Sequence, residues 1–435
     1  MKTPSPLSSA LSTSAPHALR RLGRLGRLGH LAARGLGFEA PSAPLHGNDV
    51  ELLTNGQMYF PQLLRAIDAA LRNIWFETYL FAQDDVGRAV AEALGRAAAR
   101  GVDVRVLIDG YGSGDVARNL AKTLNAQGAH VRIYRPPRWW RMERKLLRRL
   151  HRKMVVVDDN IAFVGGINII DDHNHPVSER KRQKLGPRFD FAVSLRGPIV
   201  TRVAQATRRL WWAVSLTERI TENVPLSPPP LPTLRTTPPL VGGVTAQLLL
   251  RDNFRNRHTI ERAYLTEIES AHHDVLIACA YFLPGHHLRA ALRAAARRGV
   301  RVRLLLQGQV EYRIQHYAQR SLYADLLASG IEIYEYLPSY LHAKVAVMDS
   351  AWATVGSSNI DPYSLLLARE ANVVVFDNRF AGQLQAVLER AITEQSRRVH
   401  PADYARRGLV TKAVDAVAYL MVRFATVVLA RGRGY

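Results

Sequence analysis

A chain of 435 residues is long enough for two hydrophobic cores, and its net charge of +22 implies an anionic partner, either nucleic acid or an anionic membrane. The single cysteine, Cys279, excludes an intrachain disulfide and supplies no metal-ligand set.

The first 35 residues join a Ser/Pro/Ala-rich start to HALRRLGRLGRLGHLAARG, whose glycines weaken a helix. No apolar run there suits a secretory or spanning segment, so a disordered or membrane-contacting basic tail is expected. Next, AEALGRAAARGVDVRVLIDG (Ala91 to Gly110) predicts an Ala/Arg-rich helix ended by glycine and followed by a strand. The stretch from Arg135 to Arg152 is strongly basic and is interrupted by Trp139 and Trp140, a composition suited to the wet edge of a bilayer.

His151 to Asp158 then read HRKMVVVD. The loop from Asp171 to Lys184 contains Asp171, Asp172, His173 and His175, in a spacing that matches no zinc set. Ser227 to Pro232 and Pro238-Pro239 predict a stiff extended connection. Beyond it the chain repeats itself. RAALRAAARRGVRVRLLLQG (Arg289 to Gly308) answers the earlier helix and strand, and HAKVAVMD (His342 to Asp349) answers the octapeptide. Both octapeptides fit H-x-K-x-x-x-x-D. Seventeen residues after each histidine comes an asparagine, Asn168 and Asn359, preceded by Gly165-Gly166 and by Gly356-Ser357-Ser358.

The apolar runs after each lysine lack alternation and predict strands buried on both faces, with His and Lys pointing the same way at the strand start. Asp158 and Asp349, seven residues on, fall on the opposite face or at the strand end, where fixing a turn suits them. Glu370 and Asp190 open comparable later strands and suit orienting an imidazole through its second nitrogen. Glu370 follows His342 by 28 residues and Asp190 follows His151 by 39, an excess that the Asp171 to Lys184 loop can hold. The predicted organisation is a tail (1–47), a first half (48–224), a proline-rich linker (225–243), a second half (244–405) and an amphipathic segment (406–435). In that last segment Lys412, Asp415 and Arg423 interrupt the apolar run, which predicts an interfacial or protein-docked helix over a spanning one.

From Asn48 to Glu394 this sequence resembles the phospholipase D superfamily, and NGQMYFP, ETYLFAQDDVG, VLIDGYGS and YFLP resemble its bacterial cardiolipin synthases of the B type. The resemblance implies an α/β fold of two related halves, each a mixed, mostly parallel sheet flanked by helices, packed face to face around one site. It implies the catalytic set His151, Lys153, Asp158, His342, Lys344 and Asp349, supported by Asn168, Asn359, Ser357, Ser358, Glu370 and Asp190. One histidine attacks phosphorus and the other carries the proton. The motifs do not decide which; in two-motif phospholipases D the first-half histidine usually attacks, which favours His151. The lysines supply the charge neutralisation a metal would give, so neither metal nor cofactor is expected.

The implied reaction moves a phosphatidyl group between phosphatidylglycerol molecules, with phosphatidylethanolamine as a variant donor. Hydrolysis by water, or attack on a nucleic-acid diester, would share the first step. The tryptophans and the amphipathic C-terminus favour an anionic phospholipid membrane over nucleic acid. Peripheral attachment to the cytoplasmic face of a bacterial inner membrane is the expectation, and the sequence names no protein partner.

Overall fold

The computed structural model describes residues 43–136, 148–175, 184–221, 234–252, 256–361, 364 and 368–430. The N-terminal basic tail, Trp139-Trp140, residues 176–183 of the polar loop and the Ser227 to Pro232 run lie outside the described residues.

The first half runs β1 (Leu45–Thr54), α1 (Asn55–Asp68), β2 (Asn73–Thr78), α2 (Asp85–Ala99), β3 (Asp103–Asp109), α3 (Gly114–Ala126), β4 (His130–Tyr134), β5 (Arg149–Leu150), β6 (Lys153–Val157), β7 (Ile161–Gly165), β8 (Phe191–Arg196) and α4 (Pro198–Thr221). The second runs β9 (Val244–Arg251), α5 (Thr259–Ser270), β10 (Asp274–Cys279), α6 (His286–Arg297), β11 (Arg301–Gln307), α7 (Arg313–Arg320), α8 (Tyr323–Ala328), β12 (Glu332–Tyr336), β13 (Lys344–Met348), β14 (Trp352–Gly356), β15 (Ala368–Phe376) and α9 (Asn378–Gln395). After these come β16 (Ser396–Arg398), α10 (Pro401–Ala405) and α11 (Leu409–Ala430).

The strand order is a palindrome. The first half lies β4-β3-β2-β6-β7-β8-β1, the second β12-β11-β10-β13-β14-β15-β9, and the two join where β1 pairs antiparallel with β9. The α/β class with a mixed sheet holds, but along the main strand order parallel pairing is limited to β2-β3-β4 and β10-β11-β12, with β5 pairing parallel to β15 off that path. The expected parallel majority is corrected for a physical reason. Those neighbouring strands are joined by helical crossovers, whereas β6-β7 and β13-β14 are hairpins and must pair antiparallel. The helices form where sequence predicted them: Gly101 and Gly299, at φ +88° and +90°, end the Ala/Arg-rich α2 and α6 in a conformation that favours glycine.

Three cores result. A central one collects β6, β7, β8 and α4 residues of the first half with β13, β14, β15 and α9 residues of the second, so the halves pack face to face across it. Two outer cores lie beneath α1 to α3 and beneath α5 to α8. Every residue of β6 and β13 is buried, as the unbroken apolar runs predicted.

α11 packs on α7 through Ala418 and Val422, and buries Asp415 in an ion pair with Arg407. Its other side exposes Val410, Val414, Val417, Leu420, Met421 and Phe424. Among the described residues no helix is long and apolar enough to cross a membrane.

Candidate active site

The two histidines enter the site by the same device. β5 runs parallel to the start of β15, and the His151 N–H donates to Arg369 O at 3.0 Å; Leu341 bridges Phe189 in parallel, and the His342 N–H donates to Phe189 O at 2.8 Å. Each histidine is therefore delivered beside the acidic residue of the opposite half. His151 Nδ1 lies 3.0 and 3.1 Å from the carboxylate oxygens of Glu370, and His342 Nδ1 lies 2.6 Å from Asp190 Oδ2. The sequence register compared each acid with the histidine of its own half. The structure crosses them, because each histidine sits at the seam between the two sheets and faces across it.

This geometry leaves Nε2 of each ring for a reacting phosphorus or alcohol, with Nδ1 held by a carboxylate. Burial lowers the His151 pKa against the upward pull of Glu370. Burial, reinforced by Lys344, pushes His342 down to about 3 against Asp190. Both shifts favour the neutral imidazole. Burial alone would raise Asp190, but Lys344 and His342 outweigh it and hold the carboxyl below its ordinary range.

Lys153 and Lys344 lie one layer below. Lys153 Nζ donates to His151 O at 2.7 Å; Lys344 Nζ donates to His342 O and sits 2.8 Å from His342 Nδ1. Burial lowers both, Lys153 to about 7. Neither lines the open cleft. That cleft, about 460 Å³, is lined by His151, His342, Asn168, Asn359, Arg149 and Arg188, with Tyr79, Tyr281, Glu311, Tyr312 and Gln315 among the rest. The amide oxygens of Asn168 and Asn359 are buried without a partner, and a half-turn of either amide would offer N–H donors to a bound oxyanion.

Two groups of expected site residues are placed elsewhere. Asp158 accepts from the N–H groups of Leu71, Arg72 and Asn73, and Asp349 from those of His272, His273 and Asp274. At φ +53° and +49° they open the β6-β7 and β13-β14 turns, at the strand ends remote from the histidines. Both therefore fix turns, as their offset from the histidines suited, and neither lines the cleft. Ser357 donates to Glu370 Oε2 at 2.6 Å, and Ser358 to Asn359 O at 3.3 Å; neither lines the cleft. In the first half Gly166 occupies the position of Ser357, where a Cβ would come within 2.3 Å of Asp190 Oδ1.

Sequence reasoning missed the arginines and tyrosines of the wall. Arg149 lay hidden in a stretch read as membrane contact, and Tyr79, whose ring packs 4.8 Å from that of His151, in ETYLF. Arg152, between His151 and Lys153, turns away into a buried pair with Glu77. Cys279 is buried, and burial pushes its thiol up to about 12. Among the described residues no cluster of three or more His, Cys, Asp or Glu could hold a metal ion. In the polar loop, Asp172 Oδ2 accepts from Gly56 N–H, and Asp84 Oδ2 accepts from Asp171 N–H.

Two His-Asn pairs in one cleft, each with a buried lysine bonded to its histidine's carbonyl oxygen and each histidine held by a carboxylate, form a two-histidine site of the kind that processes phosphodiesters. The family described as "Cardiolipin synthase, PLD-like domain" matches residues 63–178 and 264–392, one copy per half. Cardiolipin synthase B of Escherichia coli K12 is 39% identical over 386 residues, covering 86% of this chain and 88% of that protein. Cardiolipin synthase A of Pseudomonas putida GB-1 is 31% identical over 370 residues, covering 82% and 71%. Among solved structures, the phosphatidylserine synthase of Haemophilus influenzae Rd KW20 shares the fold at TM-score 0.61 and 13% identity, covering 92% of this chain and 98% of its own. The chain belongs to the phospholipase D-like family of cardiolipin synthases.

Proposed function

We propose that this enzyme is a cardiolipin synthase that transfers a phosphatidyl group from one phosphatidylglycerol to the glycerol hydroxyl of another, releasing glycerol. The observation that carries the reading is the crossed pair of His–carboxylate contacts around one cleft, which supplies two oriented imidazoles to a single phosphorus. His151 Nε2 attacks phosphorus, and the departing glycerol alkoxide takes a proton from His342 Nε2. The second lipid's hydroxyl then gives its proton to His342 and attacks, and the P–N bond to His151 breaks.

Burial of His151 favours its neutral form, which suits attack. An anionic phosphodiester beside His342 favours the protonated form that the leaving group needs, and Asp190 stabilises that imidazolium. Arg149 and Arg188 meet the headgroup phosphate at the wall, Asn168 and Asn359 offer neutral donors, and the buried lysines add charge from beneath. The exposed apolar stripe of α11 and the net charge of +22 support peripheral attachment to the cytoplasmic face of the inner membrane.

Purified enzyme added to phosphatidylglycerol vesicles should yield cardiolipin and free glycerol on lipid separation. Phosphatidic acid as the only product would identify a hydrolase, and no reaction would sink the lipid reading.

A further inference from the structure

The motif residues are the same on both sides of the cleft, yet donor and acceptor must be told apart, so the discrimination belongs to wall residues that the repeat does not share. Phe81 bridges Ile169 and Phe282 bridges Ile360, which makes Leu80 the counterpart of Tyr281. Gly110 N–H donates to Tyr134 O and Gly308 N–H to Tyr336 O, which makes Ser113 the counterpart of Glu311. On the first-half side, Leu80 is apolar and the Ser113 hydroxyl is engaged with Tyr79 O and Phe81 N–H. On the second-half side, the Tyr281 hydroxyl donates to Glu311 Oε2 at 2.6 Å, and both residues line the cleft.

Glu311 has no ion pair among the described residues, and Gln315 beside it has a buried amide oxygen without a partner. The wall there offers acceptors: a carboxylate oxygen not used by Tyr281, and the Gln315 oxygen. An anionic phosphate is repelled by it, and an ammonium is disfavoured by Arg149 and Arg188 across the same cleft. Uncharged hydroxyl groups satisfy both. The wall also adjoins the proton-carrying histidine, because the Ala280 N–H, next to Tyr281, donates to the oxygen of Ala343, next to His342, at 2.9 Å.

We propose that Tyr281, Glu311 and Gln315 form a polyol subsite that binds the acceptor's second free hydroxyl while its terminal hydroxyl faces His342, so that a glycerol headgroup outcompetes water and simple alcohols. This rests on the phosphatidyl-transfer reading. Phosphatidylglycerol vesicles supplied with ethanol provide the test, with cardiolipin, phosphatidylethanol and phosphatidic acid measured together for wild type, Glu311→Gln and Tyr281→Phe. Ethanol has one hydroxyl and makes no use of the subsite. The cardiolipin-to-phosphatidylethanol ratio should fall about tenfold or more in Glu311→Gln, and in the same direction in Tyr281→Phe, with phosphatidic acid rising relative to cardiolipin. An unchanged ratio overturns the inference, whether both transfer products fall together or neither does. Absence of cardiolipin from the wild-type reaction would instead reject the transfer reading itself.

Discussion

Because each imidazole is held by a carboxylate from the other half, Glu370→Gln should act on His151 and Asp190→Asn on His342. Each is expected to lower kcat by about 10²–10⁴-fold with a smaller change in KM, since the ring loses its orientation and the stabilisation of its charged form. Steady-state kinetics on phosphatidylglycerol vesicles checks this. The turn aspartates should behave oppositely. Each accepts three backbone N–H bonds, so Asp158→Ala or Asp349→Ala should cost about 1–3 kcal/mol of stability, read as a lower Tm, and should retain most of kcat at a permissive temperature. Burial holds Lys153 at about 7, so its charge is present below that pH and lost above it. The kcat/KM of the free enzyme should therefore decline as pH rises past about 7, while kcat holds to higher pH because a bound phosphodiester favours the protonated amine. The motif histidines, lysines and asparagines were legible from their repeated spacing. The arginines and tyrosines of the wall were not, since each comes from a loop or strand end whose placement depends on tertiary packing.

The C-terminal helix joins two readings that its sequence left as alternatives. Ala418, Val422 and the buried Asp415–Arg407 pair dock it on α7, while Val410, Val414, Val417, Leu420, Met421 and Phe424 remain exposed. Sequence showed an apolar circumference broken by charges; only packing shows that Asp415 belongs to the docked side. Basic residues near an anionic leaflet are worth about 1 kcal/mol each and are screened by salt, whereas an inserted apolar face is not. Deleting Leu409 to Tyr435 should leave a protein that binds anionic vesicles at low salt and is released at high salt, while the intact chain resists release. Vesicle flotation across a salt series measures this, and identical release curves would assign attachment to the basic surface alone. The β2-β3-β4 and β10-β11-β12 strands were readable from helix-then-strand alternation. The antiparallel majority was not, because a buried strand looks the same in either pairing.

At the scale of the molecule, the palindromic sheet and the shared central core place both motif copies at one seam. Sequence repeats announced the two halves and the two histidines; the crossing stayed hidden because counting residues within a half says nothing about what faces it. We propose that the boundary between the halves falls in the connection at 225–243, just ahead of β9. The central claim is that one histidine bonds to phosphorus while the other carries the proton, and acid quenching tests it most directly. His151→Ala and His342→Ala enzymes would be given phosphatidylglycerol labelled at phosphorus, quenched and digested. The account predicts that neither variant turns over and that the His342 variant retains label on His151, since attack proceeds slowly while release stalls. Label on His342 in the His151 variant would contradict the assignment, and turnover by either variant would contradict the two-histidine mechanism.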